Sequence, residues 1–220
     1  MPKLSNIFKR VVKNITPPLL FNFIAQADQP SSVKQGALFD GDDKIFKELI
    51  SGAKIYAEYG CGASTIWVAN NTQCQILSTD SSEHWLKNVF DGCKEVSRVR
   101  LHYANIGKIG EWGTPLNYEM SHNFSDYTDW IWRQNSCPDV VLVDGRFRVC
   151  CFLTSLLNAR EGAALVFDDY TNREQYHYVE RFVKPTKTFG RQSIFLVPNK
   201  DSLQRELILD AIEKFRFVFD

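Results

Sequence analysis

The residues with the clearest capacity for chemistry lie in AKIYAEYGCGASTIWVA, residues 53–69, where Glu58, Gly60, Gly62 and Ser64 fall close together. Glycine carries no side chain and tolerates unusual dihedrals, so backbone at Gly60 and Gly62 can approach a ligand closely. A carboxylate two residues ahead of the first glycine would repel a pyrophosphate. It suits a cation, such as an α-amino group or a water ordered by one. Asp80 closes the segment CQILSTD, twenty residues beyond Gly60, where an acid can accept hydrogen bonds from both hydroxyls of a ribose. The bland alternative is a turn glutamate bonded to nearby amides and an aspartate that caps a strand.

A second group of acids follows two later apolar runs. Asp144 ends PDVVLVD, and Asp168, Asp169 and Tyr170 end GAALVFDDY. In one reading Asp144 touches cofactor or acceptor, and Asp144, Asp168 or His177 serves as general base. In the other, Asp144, Asp168 and Asp169 bind a divalent cation through oxygen ligands, as hard ions prefer. Neighbouring residues in a strand point to opposite faces, so only one of Asp168 and Asp169 is expected to face the site. Asp169 then caps the next helix. His177, within REQYHYVERFV, is either a base that titrates near neutrality or a packing residue among tyrosines. Arg146 suits an anionic acceptor such as a carboxylate or phosphate, or pairs with a local acid. Arg148 reads as structural. With Asp169 and Tyr170, Arg146 and Trp112 make up the expected acceptor side.

The elements that must position these groups alternate. DDKIFKELISG reads as a helix with acids first and glycine last, as the helix dipole and C-cap favour. AKIYAEYG is a buried strand and STIWVANN a helix. CQILSTD is a second strand, followed by a helix through SEHWLKNVFDGCKEV. RVRLHYANIG is a third strand and PDVVLVDG a fourth, almost continuously apolar, as strands covered on both faces are. FRVCCFLTSLLNA is a helix, GAALVFDD a fifth strand, and a helix is expected near REQYHYVERFV. TKTFG and QSIFLVP form a hairpin around Gly190-Arg191, and a last amphipathic helix carries Leu203, Leu207, Ile208, Ala211, Ile212 and Phe215. This order predicts a single α/β domain with a mostly parallel sheet, helices on both faces and an antiparallel edge. Between strands three and four, a long connection holds Trp112, Tyr118, Phe124, Tyr127, Trp130 and Trp132. Trp112 is the pocket candidate; the others are expected to pack a satellite core.

In such sheets ligands bind beyond the carboxyl ends of the strands, where strand order reverses. A ligand there with a ribose, a positive amino group and no phosphate is S-adenosylmethionine. The competing ligand is NAD, which also uses an acid at the end of strand two. Gly60-Cys61-Gly62-Ala63-Ser64-Thr65 lacks the third glycine of that fingerprint, and Glu58 opposes pyrophosphate. A non-catalytic nucleoside-binding scaffold is the third reading.

AEYGCGAST resembles the ExGxGxS motif of class I S-adenosylmethionine-dependent methyltransferases, and ILSTD resembles their acidic second strand end. ANIGKIGEWGTP, PDVVLVDGRFRVCC, LVFDDYTNREQYHYVERF and FGRQSIFLVP resemble a group of these proteins with a VDGRFRVAC-like signature. The resemblance spans roughly residues 53–198. It implies a Rossmann-like sheet of seven strands, with the last antiparallel and inserted beside the fifth. It implies that Glu58, Gly60, Gly62 and Ser64 hold the methionine part, Asp80 the ribose, and Asn105 and Ile106 the adenine side, with Asp144 also near the cofactor. Asp144, Asp168 and Asp169 occupy strand ends where catechol- and macrocin-type O-methyltransferases place acids. The implied reaction is O-methylation of a small-molecule or glycan-like acceptor.

Length suits a single domain large enough to bury a sizeable core. The chain has 220 residues, with 26 basic and 26 acidic side chains, so nothing advertises nucleic acid. The six cysteines form no CxxC pair and read as reduced thiols of a cytoplasmic protein. No segment is long enough to span a bilayer. Residues 1–30 are expected to form a basic amphipathic helix, stopped at Pro17-Pro18, and an arm. This helix docks on the domain, on a partner, or weakly on a membrane surface. Residues 31–200 form the methyltransferase domain, and residues 201–220 a helix packed on it. Oligomeric state is not readable from the sequence.

Overall fold

The computed structural model describes Leu38, Phe39 and residues 43–220. The expected N-terminal helix and arm lie outside the described residues. Helix α1 (Lys44–Ser51) ends at Gly52. Then come β1 (Ile55–Tyr59), α2 (Ala63–Asn71), β2 (Gln75–Asp80), α3 (Glu83–Gly92) and β3 (Val99–Tyr103). The long connection contains α4 (Phe124–Asp129). It leads to β4 (Val140–Val143), α5 (Arg148–Asn158) and β5 (Ala164–Phe167). Strands β6 (Lys187–Phe189) and β7 (Gln192–Leu196) form a hairpin around Gly190, and α6 (Arg205–Phe215) follows.

The sheet order is β3-β2-β1-β4-β5-β7-β6, with β7 antiparallel to both β5 and β6. This is the mostly parallel, seven-stranded arrangement expected from the sequence. Alternation within the strands feeds two cores. Ala57, Tyr59, Val141, Val143, Leu165 and Phe167 face α5 and α6. Tyr56, Val140, Leu142, Ala164 and Val166 join Phe46, Ile50 and Val68 on the opposite side. Burying both faces explains why β4 and β5 are apolar throughout.

Two expectations need correction. The segment around His177 is a 3-10 run, Glu174–Arg181, in which Tyr176 and Val179 are buried. Their spacing of three matches three residues per turn and selects that geometry. The aromatic connection does not build a satellite core. Phe124, Tyr127 and Ile131 enter the main one. The Tyr59 and Tyr127 rings stack at 6.1 Å, Trp132 Nε1–H donates to the Tyr59 hydroxyl at 2.9 Å, and that hydroxyl donates to the Thr128 carbonyl at 2.8 Å.

Strand order reverses beside β1, whose neighbours are β2 and β4. The ladder continues one residue past each strand end. Gly60 N–H donates to the Thr79 carbonyl (2.9 Å), Asp144 N–H to Tyr59 (3.1 Å) and Asp168 N–H to Val143 (3.1 Å). These bonds hold the glycine turn and both later acids level at one end of the sheet.

Candidate active site

The glycine turn is built around Glu58. This carboxylate is fully buried. Its Oε2 accepts hydrogen bonds from the hydroxyls of Tyr56 (2.6 Å) and Ser64 (2.8 Å), and its Oε1 from Ser78 (3.2 Å) and Thr65. Thr65 Oγ1 also accepts Gly62 N–H at 2.9 Å. Glu58 thus ties its own strand to β2 and to the first turn of α2. Ser64 serves this clamp. Burial raises the Glu58 pKa, and the four hydroxyls oppose that rise.

Gly60 and Gly62 have different reasons to be glycine. Gly60 has a φ of +89°, and a Cβ there would lie 2.6 Å from the Gly145 Cα. The close approach it permits is to the end of β4. A Cβ at Gly62 would meet nothing within 4 Å, so open space lies beside the second glycine of the turn.

Asp80 is nearly buried. Its Oδ2 accepts Cys61 N–H at 2.9 Å and its Oδ1 accepts Ser82 N–H at 2.7 Å. These are the capping bonds of the bland alternative, yet each carboxylate oxygen keeps a second lone pair for a ribose hydroxyl. Burial raises the Asp80 pKa, while the two amides and the charge of Arg146 work against the rise. Among the described residues, neither Glu58 nor Asp80 has an ion-pair partner within 4.0 Å.

At the ends of β4 and β5, Asp144, Asp168 and Asp169 each offer an oxygen within 4.8 Å of the others. Asp168 and Asp169 therefore converge, contrary to the strand alternation expected. The reason is local: β5 stops at Phe167 and Asp169 takes a left-handed φ of 55°. Three arginines fill the cluster. Arg148 bridges Asp144 Oδ1 and Asp169 Oδ2, both at 3.1 Å, and donates to the carbonyls of Asp144, Gly145 and Asp168. Arg191 Nε and Gln192 Nε2 donate to Asp168 Oδ1 at 3.1 and 2.9 Å. Arg173 lies 3.3 Å from Asp169 Oδ2. Three acids meeting three guanidinium groups leave no net charge for a divalent ion to neutralise. The donor set fits an arginine-filled network better than a metal centre.

The acids differ in proton affinity. Burial and the adjacent Asp168 raise the Asp144 pKa well above the usual carboxylate range. Burial opposes ionisation of Asp169 as well, but Arg148, Arg173 and Arg191 outweigh it and hold its pKa low. Asp168 is fully buried, whereas the Asp144 side chain is 28% exposed. Asp144 is the member of the three most open to a substrate.

The remaining candidates separate. Tyr170 is buried among Phe167, Phe195 and His177, with its hydroxyl on Glu180 at 2.9 Å. The structure makes it a core residue. His177 stacks on the Tyr170 ring and donates Nε2–H to the Tyr170 carbonyl at 3.0 Å. Trp112 is 63% exposed on a left-handed turn. Ser81, beside Asp80, donates to the Gly113 carbonyl at 3.0 Å, so that turn is fastened to the end of β2. Asn105 is exposed past β3, and Ile106 is buried in the core. Arg146 reaches Thr114 Oγ1 at 3.3 Å.

Sequence reasoning missed Tyr56, Thr65 and Ser78 as partners of Glu58, and Arg173, Arg191 and Gln192 as partners of the later acids. The period-two spacing of Tyr56 and Glu58 was a usable signal. The distant arginines on the hairpin and the 3-10 run offered none.

No family model matches the sequence, and no curated relative does. A methyltransferase-like protein from Silicibacter pomeroyi shares 28% identity and a TM-score of 0.71, over 86% of this chain and 98% of its own. An O-methyltransferase from Bacillus cereus in complex with S-adenosylhomocysteine shares 16% identity and a TM-score of 0.49, covering 88% of this chain and 97% of its own. A putative O-methyltransferase from Klebsiella pneumoniae shares 15% identity and a TM-score of 0.48, covering 88% and 96%. The chain shares the Rossmann-like fold of that methyltransferase-like protein.

Proposed function

We propose that this chain is an S-adenosylmethionine-dependent methyltransferase that modifies an oxygen of a small-molecule or glycan-like acceptor. One observation carries the reading: two carboxylates, Glu58 and Asp80, flank the open space at Gly62 and neither has an ion-pair partner among the described residues. Such a turn attracts a cationic ligand and repels the pyrophosphate of a dinucleotide.

Bound there, S-adenosylmethionine supplies an electrophilic methyl group on a sulfonium. The chain's own task is alignment and proton removal. Asp80 orients the ribose, and Glu58, through its four hydroxyls, keeps the glycine turn in shape. Asp144 takes the acceptor proton. It is partly open, and its raised proton affinity makes it a better base near neutrality than an ordinary carboxylate. Burial and the charge of Asp168 set that affinity, and Arg148 fixes the side chain. His177 holds the end of β5 through Tyr170, and Trp112 shapes the mouth of the site.

Thermal melting with two ligands tests this. S-adenosylhomocysteine should raise the melting temperature in a saturable way and NAD should not. Stabilisation by NAD alone would replace this reading with a dehydrogenase.

A further inference from the structure

We infer that Arg146 is the anion-recognition residue of the acceptor site, so that the acceptor carries a carboxylate or phosphate. The inference rests on the methyltransferase reading and names the substrate class of that same site.

The argument begins with a contrast among arginines. Arg148, Arg173 and Arg191, around the same strand ends, each lie within 4.0 Å of a carboxylate. Arg146 has no such partner among the described residues. Its backbone N–H donates to the Tyr127 hydroxyl at 3.1 Å, and one terminal nitrogen reaches Thr114 Oγ1 at 3.3 Å. Its Nε is buried with no hydrogen-bond partner. A guanidinium has five N–H donors in a rigid fork, and leaving one in a dry site without an acceptor is costly.

The acids near it do not pair with it. Asp80 receives two backbone amides, and Asp220 Oδ1 receives Arg148 N–H at 2.6 Å. The second Asp220 oxygen is itself buried without a hydrogen-bond partner, so Arg146 has not closed on it. Burial and the like charge of Arg148 both press on the Arg146 cation, with Asp220 working against them, and an incoming anion relieves that pressure. An oxyanion can meet the Nε edge of the fork with two parallel bonds. The place in the chain suits an acceptor, and the charge of Arg146 also acts on Asp80 at the end of β2. Arg146 lies two residues after Asp144, and Thr114 belongs to the connection that fastens Trp112 over β2. An acceptor whose anionic group sits on Arg146 would have its hydroxyl within the neighbourhood of Asp144.

The test uses the full chain with S-adenosylhomocysteine bound and inorganic phosphate as the probe. Chloride keeps ionic strength constant, and titration calorimetry reads both ligands. Wild type should bind phosphate saturably. Arg146→Met should weaken it about tenfold or more, and Arg146→Lys should keep part of the affinity. The affinity for S-adenosylhomocysteine should stay unchanged in both variants, which also reports that they fold. Phosphate that fails to saturate in wild type, or binds Arg146→Met equally well, overturns the anion site alone. A tenfold loss of S-adenosylhomocysteine affinity in Arg146→Met also overturns it, because the guanidinium then serves the cofactor's own carboxylate. Wild type that binds no S-adenosylhomocysteine overturns both readings.

Discussion

Carboxylates stand at the end of β1 and β2 and again at the end of β4 and β5, at one end of one sheet, yet they are treated in opposite ways. Glu58 and Asp80 are satisfied by neutral donors, four hydroxyls and two amides. Hydrogen bonds of that kind stabilise an ionised acid without cancelling its charge, so its field remains available to a ligand. Asp144, Asp168 and Asp169 meet Arg148, Arg173 and Arg191. Their charge is matched within the protein. What remains there is a set of closely spaced groups with unequal proton affinities. On the proposed reading, the first region binds a cation and the second handles a proton.

Arg148→Met should break this contrast most severely. The guanidinium is buried, ties two carboxylates together and satisfies three carbonyls. Removing one partner from a buried charge network costs about 3–5 kcal/mol. Urea denaturation should show a loss of that size, and a loss below about 1 kcal/mol would mean that the arginine is dispensable to the network.

A smaller effect is expected at the first region, and on binding. Asp80→Ala removes the acceptor for ribose hydroxyls and should weaken S-adenosylhomocysteine about tenfold or more by calorimetry. Unchanged affinity would leave Asp80 as a cap for the Cys61 and Ser82 amides and nothing else.

The two regions were also unequally legible from sequence. The glycine turn is a contiguous stretch; its strand-to-helix reading and the succession of strands along the chain followed from local apolar patterning, while the place of the last strand beside the fifth was implied by the resemblance. Even so, Gly60 is glycine because Gly145 touches it, a contact 85 residues away along the chain that no local pattern records. The second region depends on partners from three separate segments. Arg148 comes from α5, Arg173 from the start of the 3-10 run and Arg191 from the hairpin turn. Arg148 reads as structural from the sequence, but nothing there names its partners or marks Arg173 and Arg191 as members of the same cluster. The convergence of Asp168 and Asp169 was hidden for a different reason. A left-handed residue at 169 cancels strand alternation, and an aspartate at that position does not announce it as a glycine would.

Proton affinity sharpens the comparison further. In Asp168→Asn, one of the charges that raises the Asp144 pKa disappears while Arg148 stays in place. Less negative surroundings favour the ionised form, so the Asp144 midpoint should move down. Carboxyl carbon NMR across a pH series would follow it directly in wild type and variant. As a base, Asp144 works only when deprotonated, so the acidic limb of any activity profile should move to lower pH in the same direction. A midpoint that does not move would remove Asp168 from control of the base.

The smallest expected effect concerns metal. The three acids come close enough to ligate an ion, but their charge is matched by arginines, and an ion would have to displace at least one guanidinium to enter. Wild type should therefore keep its melting temperature and its affinity for S-adenosylhomocysteine when EDTA or magnesium is added. Arg191→Ala changes the balance. It removes the arginine of Asp168, leaving Gln192 as its neutral side-chain donor, and relieves Asp169 of one of three cations, so that three acids face two guanidinium groups and the surplus negative charge suits a hard divalent ion. Manganese titration followed by electron paramagnetic resonance should show binding in Arg191→Ala that wild type lacks. Tight manganese binding in wild type would show that the arginines yield to an ion, and the contrast between a charged turn and a neutralised one would no longer hold.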